Sequence, residues 1–268
     1  MTMTASFTEA TRLNRLDGSR LAGSVPHEWQ GPSGANGGLT AALVVRAAEA
    51  AVDQQVPVRS VTLHYLRTVP VGPVELAVEV VRRGRTVSSV AVEVSAGDKP
   101  VALALAQLAP PRAGGERIEA GARMPVVPGP ETIDPLVDPL PFPLPILGSV
   151  DLRVLGVDTF FQSGGRAEVT AWARTLGEDP VDRAWLAQVS DLLPPALFPA
   201  VDAPFPPLTL DLTVHFRRSN PEAAVKPGGF VLARCTSHLS SDGYWVEDGM
   251  IWAPDGTVLA QSRQLALA

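Results

Sequence analysis

Ten of the chain's 26 prolines fall between Pro110 and Pro145, mixed with Gly114, Gly115, Gly121 and Gly129. Each proline removes a backbone N–H and fixes φ, so this stretch can be neither a helix nor a central strand. It predicts a semi-extended linker over 111–147, separating a half at 1–110 from one of similar length at 148–268. A surface excursion within one domain is the alternative, and 268 residues accommodate one domain or two.

The two halves repeat short patterns in the same order. Asp98 to Gln107 and Asp255 to Gln264 each span nine positions, and Gln-Leu-Ala follows in both. Upstream, Leu63-His64-Tyr65-Leu66-Arg67 parallels Val214-His215-Phe216-Arg217-Arg218. The recurrence predicts a tandem duplication.

Strand alternation is clean in each half. Val74, Leu76, Val78 and Val80 share a face with Glu75 and Glu79 opposite, and Val90, Val92 and Val94 repeat the pattern. Val258, Ala260, Ser262 and Gln264 share a face in the second half. Each half also holds one helix. The first is apolar on nearly every side from Leu39 to Val45 and runs to Val52, which predicts burial. The second is expected to start with Asp179 as N-cap and Pro180 at the first helical position, and to loosen before Pro194-Pro195. A buried helix with several long antiparallel strands, met twice, predicts an α+β chain with an antiparallel sheet wrapped around two central helices, a tandem (double) hot-dog. Two ordinary α+β domains are the alternative.

Several chemistries are excluded early. A net charge of −6 and a pI near 5.3 argue against a general nucleic-acid surface. Cys235 is the only cysteine, so no disulfide framework and no cysteine zinc site can form. Met1–Phe7 lacks the pattern of a secretory signal and no apolar run approaches the ~18 residues of a membrane span, so a cytoplasmic location is expected. There is no Gly-x-Ser-x-Gly elbow, no close histidine pair for a metal, and no Gly-Lys-Ser/Thr after Gly34-Ala-Asn-Gly37-Gly38. His64 and His215, at matching repeat positions beside aromatics, are expected to serve packing.

Asp191 stands out, late in the second helix within Gln188-Val-Ser-Asp191-Leu-Leu. A carboxylate there opposes the helix dipole, and its apolar neighbours desolvate it, so a raised pKa and general-base chemistry are open to it. A solvated acid on the helix's outer edge is the plainer reading. Arg82-Arg83-Gly84-Arg85 is either a cradle for phosphates or a solvated hairpin tip.

Val189-Ser190-Asp191, Thr209-Leu210-Asp211 opening a strand, and Gln264 near the end resemble the acyl-CoA thioesterase II family, the double-hot-dog thioesterases of the TesB type. The likeness extends to Gly34-Ala-Asn-Gly37-Gly38 and to His64-Tyr65-Leu66-Arg67 with Pro70 and Gly72. It implies an acyl-CoA hydrolase in which Asp191, Thr209 and Gln264 hold and activate a water, with no cofactor and no metal. It implies an acyl-CoA substrate, with no nucleic-acid or membrane partner, and leaves room for a homo-oligomer of double hot-dog chains. Gly37 and Gly38 at the helix N-terminus become candidate oxyanion donors, or else a tight turn into a buried helix. Arg82, Arg83 and Arg85 become candidates for the CoA phosphates. Two other functions stay open: an enoyl-thioester hydratase or dehydratase using an Asp/His pair with His215 or His238, and a non-catalytic acyl-CoA-binding protein.

The repeat also predicts one working site per chain. Thr209 lies six residues before His215, and Val58 lies six before His64. Valine has no hydroxyl, and the first helix carries no acid except Glu49 near its far end. Gln107, matched to Gln264, is then expected to be structural.

Overall fold

A computed structural model describes residues 5–52, 56–112, 114, 118, 121–137 and 142–267. Residues 1–4 of the leading segment and 113, 115–117, 119–120 and 138–141 of the linker lie outside the described residues. The first half contains α1 (Phe7–Ala10), β1 (Asn14–Asp17), β2 (Arg20–Val25), the short pair β3 (Gln30–Gly31) and β4 (Gly34–Ala35), and α2 (Gly37–Val52). It continues through β5 (Val58–Tyr65), β6 (Gly72–Arg83), β7 (Ser88–Ala96) and β8 (Lys99–Leu108). The second half contains β9 (Val150–Val154), β10 (Glu168–Thr175), α3 (Arg183–Val189) and β11 (Leu208–Phe216). After these come β12 (Val231–Thr236), β13 (Ser240–Ser241), β14 (Tyr244–Trp252) and β15 (Val258–Leu267).

All strands but β3 and β4 join one antiparallel sheet, ordered β1-β2-β6-β7-β8-β5-β11-β15-β14-β12-β10-β9, with β13 on β14. Outward from the β5–β11 seam, both halves read alike: the first strand after the helix, the last strand, the two between, then the two before the helix. The alternation seen in the sequence explains the layering. Val74, Leu76 and Val78 turn inward while Glu75 and Glu79 are exposed, and α2, buried continuously from Gly38 to Val45, fills the concave side. α3 packs on α2 and β11.

At the seam Thr62 pairs with Thr213, and their hydroxyls lie 3.0 Å apart, a cross-strand pair contributing roughly 0.2–1 kcal/mol. The His64/His215 match makes these two threonines equivalent, so the seam pairs a residue with its own counterpart. The irregularities agree: β5 shifts register between Val58 and Ser60, and β11 shifts between Thr209 and Asp211. Val58 and Thr209 therefore occupy equivalent positions beside equivalent bulges.

Three expectations need correction. Gln107 and Gln264 are not equivalent. Gln264 pairs with Leu212 and Ala106 pairs with Val61, so Ala106 is the counterpart of Gln264. Gln107 sits one residue on, and a one-residue offset turns a side chain to the other face of the sheet. It points outward and accepts a hydrogen bond from the Ser89 hydroxyl at 2.9 Å. The second helix starts later than expected: Asp182 caps it by accepting from the Trp185 N–H at 2.9 Å. Asp179 instead accepts from the N–H groups of Phe7 and Thr8 at the start of α1, at 3.3 and 2.9 Å. His64 and His215 are exposed, because the alternation that buries Leu63 and Val214 turns their neighbours out; neither packs in the core.

The proline-rich segment is not a free tether where it is described. Its carbonyls at Ala122 and Pro128 accept from the indole N–H groups of Trp252 and Trp172, both at 2.9 Å. Met124, Val127 and Ile133 pack on Trp172, Leu232 and Trp252 on the outer face of the second half. No helix among the described residues is long and apolar enough to cross a membrane.

Candidate active site

The site forms where the C-terminal end of α3 meets the N-terminal end of α2. Asn36 fastens the two. Its Oδ1 accepts from the Gly38 N–H at 3.1 Å and from Gln188 Nε2 at 2.6 Å, and its Nδ2 donates to the Asp191 carbonyl at 2.9 Å. Only glycine permits this approach. A Cβ at Gly37 would stand 2.6 Å from Asp191 Oδ2, and one at Gly38 would overlap the Gln188 carbonyl.

Asp191 lies just beyond α3, whose last helical residue is Val189 and whose C-cap is Ser190. The expectation of an acid within the helix is corrected to one in the turn after it. Its Oδ2 accepts from the Gly38 N–H at 3.1 Å and its Oδ1 from the Thr209 hydroxyl at 3.2 Å. The carboxylate thus faces the positive end of the other half's helix, which favours its charge. Burial outweighs these contacts and pushes its carboxyl up to about 6, against the Thr209 hydroxyl and the N–H groups of Gly38 and Gly37. Tyr65 completes this corner. Its hydroxyl donates to the Gly37 carbonyl at 2.8 Å, and burial, with Asp191 nearby, raises its pKa well above the ordinary phenol value.

Thr209 enters from β11, just before the bulge, and pairs across the sheet with Ala266. Gln264 is on the inward face of β15, opposite Leu212 on one side and Glu247 on the other. Its Nε2 donates to Glu247 Oε1 at 3.0 Å, while its buried Oε1 has no partner among the described residues. Glu247 Oε2 accepts from the Ala196 N–H at 2.7 Å. Burial pushes Glu247 up to about 7; the bonds from Ala196 and Gln264 oppose the rise and the charge of Asp191 adds to it.

A cavity of about 540 Å³ opens on these groups, with Asp191, Thr209, Glu247 and Gln264 at its polar end. Its apolar wall includes Phe142, Leu144 and Ile146 from the end of the proline-rich segment, together with Phe198. Gly37 lines the cavity and Gly38 does not. The Gly38 N–H is engaged by both Asp191 and Asn36.

The structure thus gathers Asp191, Thr209, Gln264, Gly37 and Gly38. It does not bring Arg82, Arg83 and Arg85 to them. These are exposed at the β6–β7 turn, where Arg83 pairs with Ser88, Ser88 with Leu108, and Leu108 with Val58, at the end of β5 away from Tyr65. Glu247, Asn36 and Tyr65 were not singled out from the sequence. The signal for Glu247 was present: it lies two residues from Trp245 on a strand, hence on the same inward face. Among the described residues no group of three or more His, Cys, Asp or Glu is placed to hold a metal ion.

The chain matches known proteins along nearly its whole length. Residues 25–109 match the acyl-CoA thioesterase N-terminal domain and residues 130–268 match the acyl-CoA thioesterase C-terminal domain. No curated protein matches the chain in sequence. Among solved structures, a hot dog fold protein of unknown function from Alicyclobacillus acidocaldarius is similar at 27% identity, with a TM-score of 0.87 over 99% of this chain and 98% of that one. A protein classed as a thioesterase II from Thermobifida fusca YX is similar at 26% identity, with a TM-score of 0.84 over 98% of each chain. A protein classed as a thioesterase from Novosphingobium aromaticivorans DSM 12444 is 25% identical, with a TM-score of 0.79 over 95% of this chain and 97% of that one. The C-terminal match alone spans more than half of the chain, and so this hot-dog protein belongs to the acyl-CoA thioesterase family and is a thioester hydrolase.

Proposed function

We propose that the protein is a double hot-dog acyl-CoA hydrolase, with a repeat at 1–110, a linker at 111–147 and a repeat at 148–268 that carries the catalytic residues. A water held by Asp191, Thr209 and Gln264 attacks the thioester carbonyl. Asp191 takes a proton from it, the tetrahedral intermediate collapses, and CoA leaves as thiolate with the free acid as the other product. The observation that carries this reading is the 3.2 Å bond from Thr209 to Asp191 on the wall of the cavity that Gln264 also lines. A carboxyl poised near 6 is mostly ionised at neutral pH yet basic enough to accept a proton in the transition state. Thr209 donates to Asp191 and so directs the carboxylate's remaining lone pairs.

The apolar wall supplied by Phe142, Leu144, Ile146 and Phe198 suits an acyl chain, whose burial contributes about 0.8 kcal/mol per methylene. The Gly38 N–H, held by Asp191 and Asn36, acts through that carboxylate rather than on the carbonyl oxygen. The hydratase reading asks for an Asp/His pair, and among the described residues no histidine lines the cavity. Free-thiol release from a panel of acyl-CoAs tests the proposal. Release well above background with one chain-length class supports it. Binding without release favours a silent acyl-CoA binder, and loss of enoyl absorbance without thiol favours a hydratase.

A further inference from the structure

We propose that Glu247 is a positioning residue that decides which end of the Gln264 amide is turned to the reacting water. The inference rests on the reading of Gln264 as a water-binding residue. The two side chains face each other directly across β14 and β15. A carboxylate can only accept hydrogen bonds. One Glu247 oxygen takes the Ala196 N–H at 2.7 Å, and the other takes Gln264 Nε2 at 3.0 Å. With its NH₂ end held there, Gln264 must turn its carbonyl oxygen away, and that oxygen has no partner among the described residues. A water bound between this oxygen and the Asp191 carboxylate gives a proton to each and keeps a lone pair for the thioester carbon.

An uncharged amide at 247 would fill the same space without burying a charge, and burial of a carboxylate costs stability. What the amide lacks is a second acceptor. In Glu247→Gln the Ala196 N–H claims the only carbonyl oxygen, so the new NH₂ group faces Gln264. Gln264 must then rotate by half a turn to accept from it, and its own NH₂ group replaces the acceptor at the water. Protonation of Glu247 has the same effect. The titratable groups that face Glu247 are Asp191, after α3, and Cys235, on β12, whose thiol is itself pushed up by burial and by Glu247.

The test measures kcat and KM for thiol release at pH 8, where Glu247 is ionised, in four variants of the full chain. Glu247→Gln is expected to lose roughly 10–100-fold in kcat, the scale of losing an outer partner that orients a reacting group, with KM within about twofold. The double variant Glu247→Gln with Gln264→Glu exchanges the two groups: the carboxylate now on β15 accepts from the amide now on β14 and again offers an acceptor to the water. It is expected to recover at least about tenfold over Glu247→Gln. Gln264→Glu alone sets two carboxylates against each other and stays below the double variant, a comparison that holds even if Glu247→Gln does not fold. Wild-type kcat in Glu247→Gln, or a double variant no faster than either single one, overturns the assignment while leaving the water mechanism standing. Wild-type kcat in the fourth variant, Asp191→Asn, overturns the water mechanism and this inference with it.

Discussion

Asp191 Oδ2 accepts from the Gly38 N–H at 3.1 Å, so the acid of one half is held by the helix N-terminus of the other. The site is a junction between halves, and neither half contains it alone. A methyl group at 38 would overlap the Gln188 carbonyl and force the helix ends apart. Gly38→Ala is therefore expected to lose about 1–3 kcal/mol of stability through overpacking, and most of its turnover with it. Urea unfolding and thiol release, measured on the same preparation, check both effects. A fully stable, fully active variant would show that the close approach is dispensable.

In the proposed mechanism Gln264 orients the water, Thr209 orients it through the Asp191 carboxylate to which it donates, and Asp191 accepts the proton. Thr209→Ala and Gln264→Ala are each expected to reduce kcat by less than Asp191→Asn does, with Thr209→Ser nearest to wild type because it keeps the hydroxyl. Steady-state kinetics on the series gives the order directly.

One site per chain is expected, since the cleft related by the repeat has Val58 and Ala106 where the working one has Thr209 and Gln264. Gln107→Ala, which removes the bond from Ser89 on the outer face, should cost about 1 kcal/mol of stability and leave kcat unchanged. Active-site titration should give one equivalent per chain. Two equivalents would mean that the related cleft works without these groups.

The two desolvated acids, buried Glu247 and half-buried Asp191, also set how stability depends on pH. Asp191 and Glu247 have folded-state pKa values of about 6 and about 7, above those of ordinary carboxyls. Between the unfolded and folded values the native state binds the extra protons, so their contribution is fully present below about pH 4 and is lost as pH rises through 6 and 7. Thermal unfolding should therefore show stability falling from about pH 5 to about pH 8 in the wild type, and less steeply in Asp191→Asn. Turnover runs the other way: kcat should fall as pH drops through the same range, because protonated Asp191 cannot act as a base.

Much of the fold was legible because period-two alternation with buried valines leaves little freedom in which face turns inward, as at Val74, Leu76 and Val78. Asp191 was legible as an acid among apolar residues, but its partner was not: nothing local links it to Gly38, 153 positions away. Gln107 misled because identical Gln-Leu-Ala endings hide a one-residue difference in pairing, which only the register against Val61 and Leu212 reveals. Glu247 was hidden by its neighbours. In Tyr244-Trp245-Val246-Glu247-Asp248 the run of polar and aromatic residues looks like an exposed edge, and the alternation with Trp245 marks Glu247 as inward only once the sheet partner Gln264 is known. The ends of the proline-rich segment gave no sequence signal that Phe142, Leu144 and Ile146 would wall the cavity.

The most direct test of the mechanism compares thiol release from the best acyl-CoA substrate by the wild type and by Asp191→Asn. Circular dichroism and KM monitor whether the variant keeps its fold and its substrate affinity. Removing the general base predicts a kcat lower by about 10²-fold or more, with KM and the spectrum unchanged. A well-folded Asp191→Asn protein that releases thiol at the wild-type rate would contradict the account.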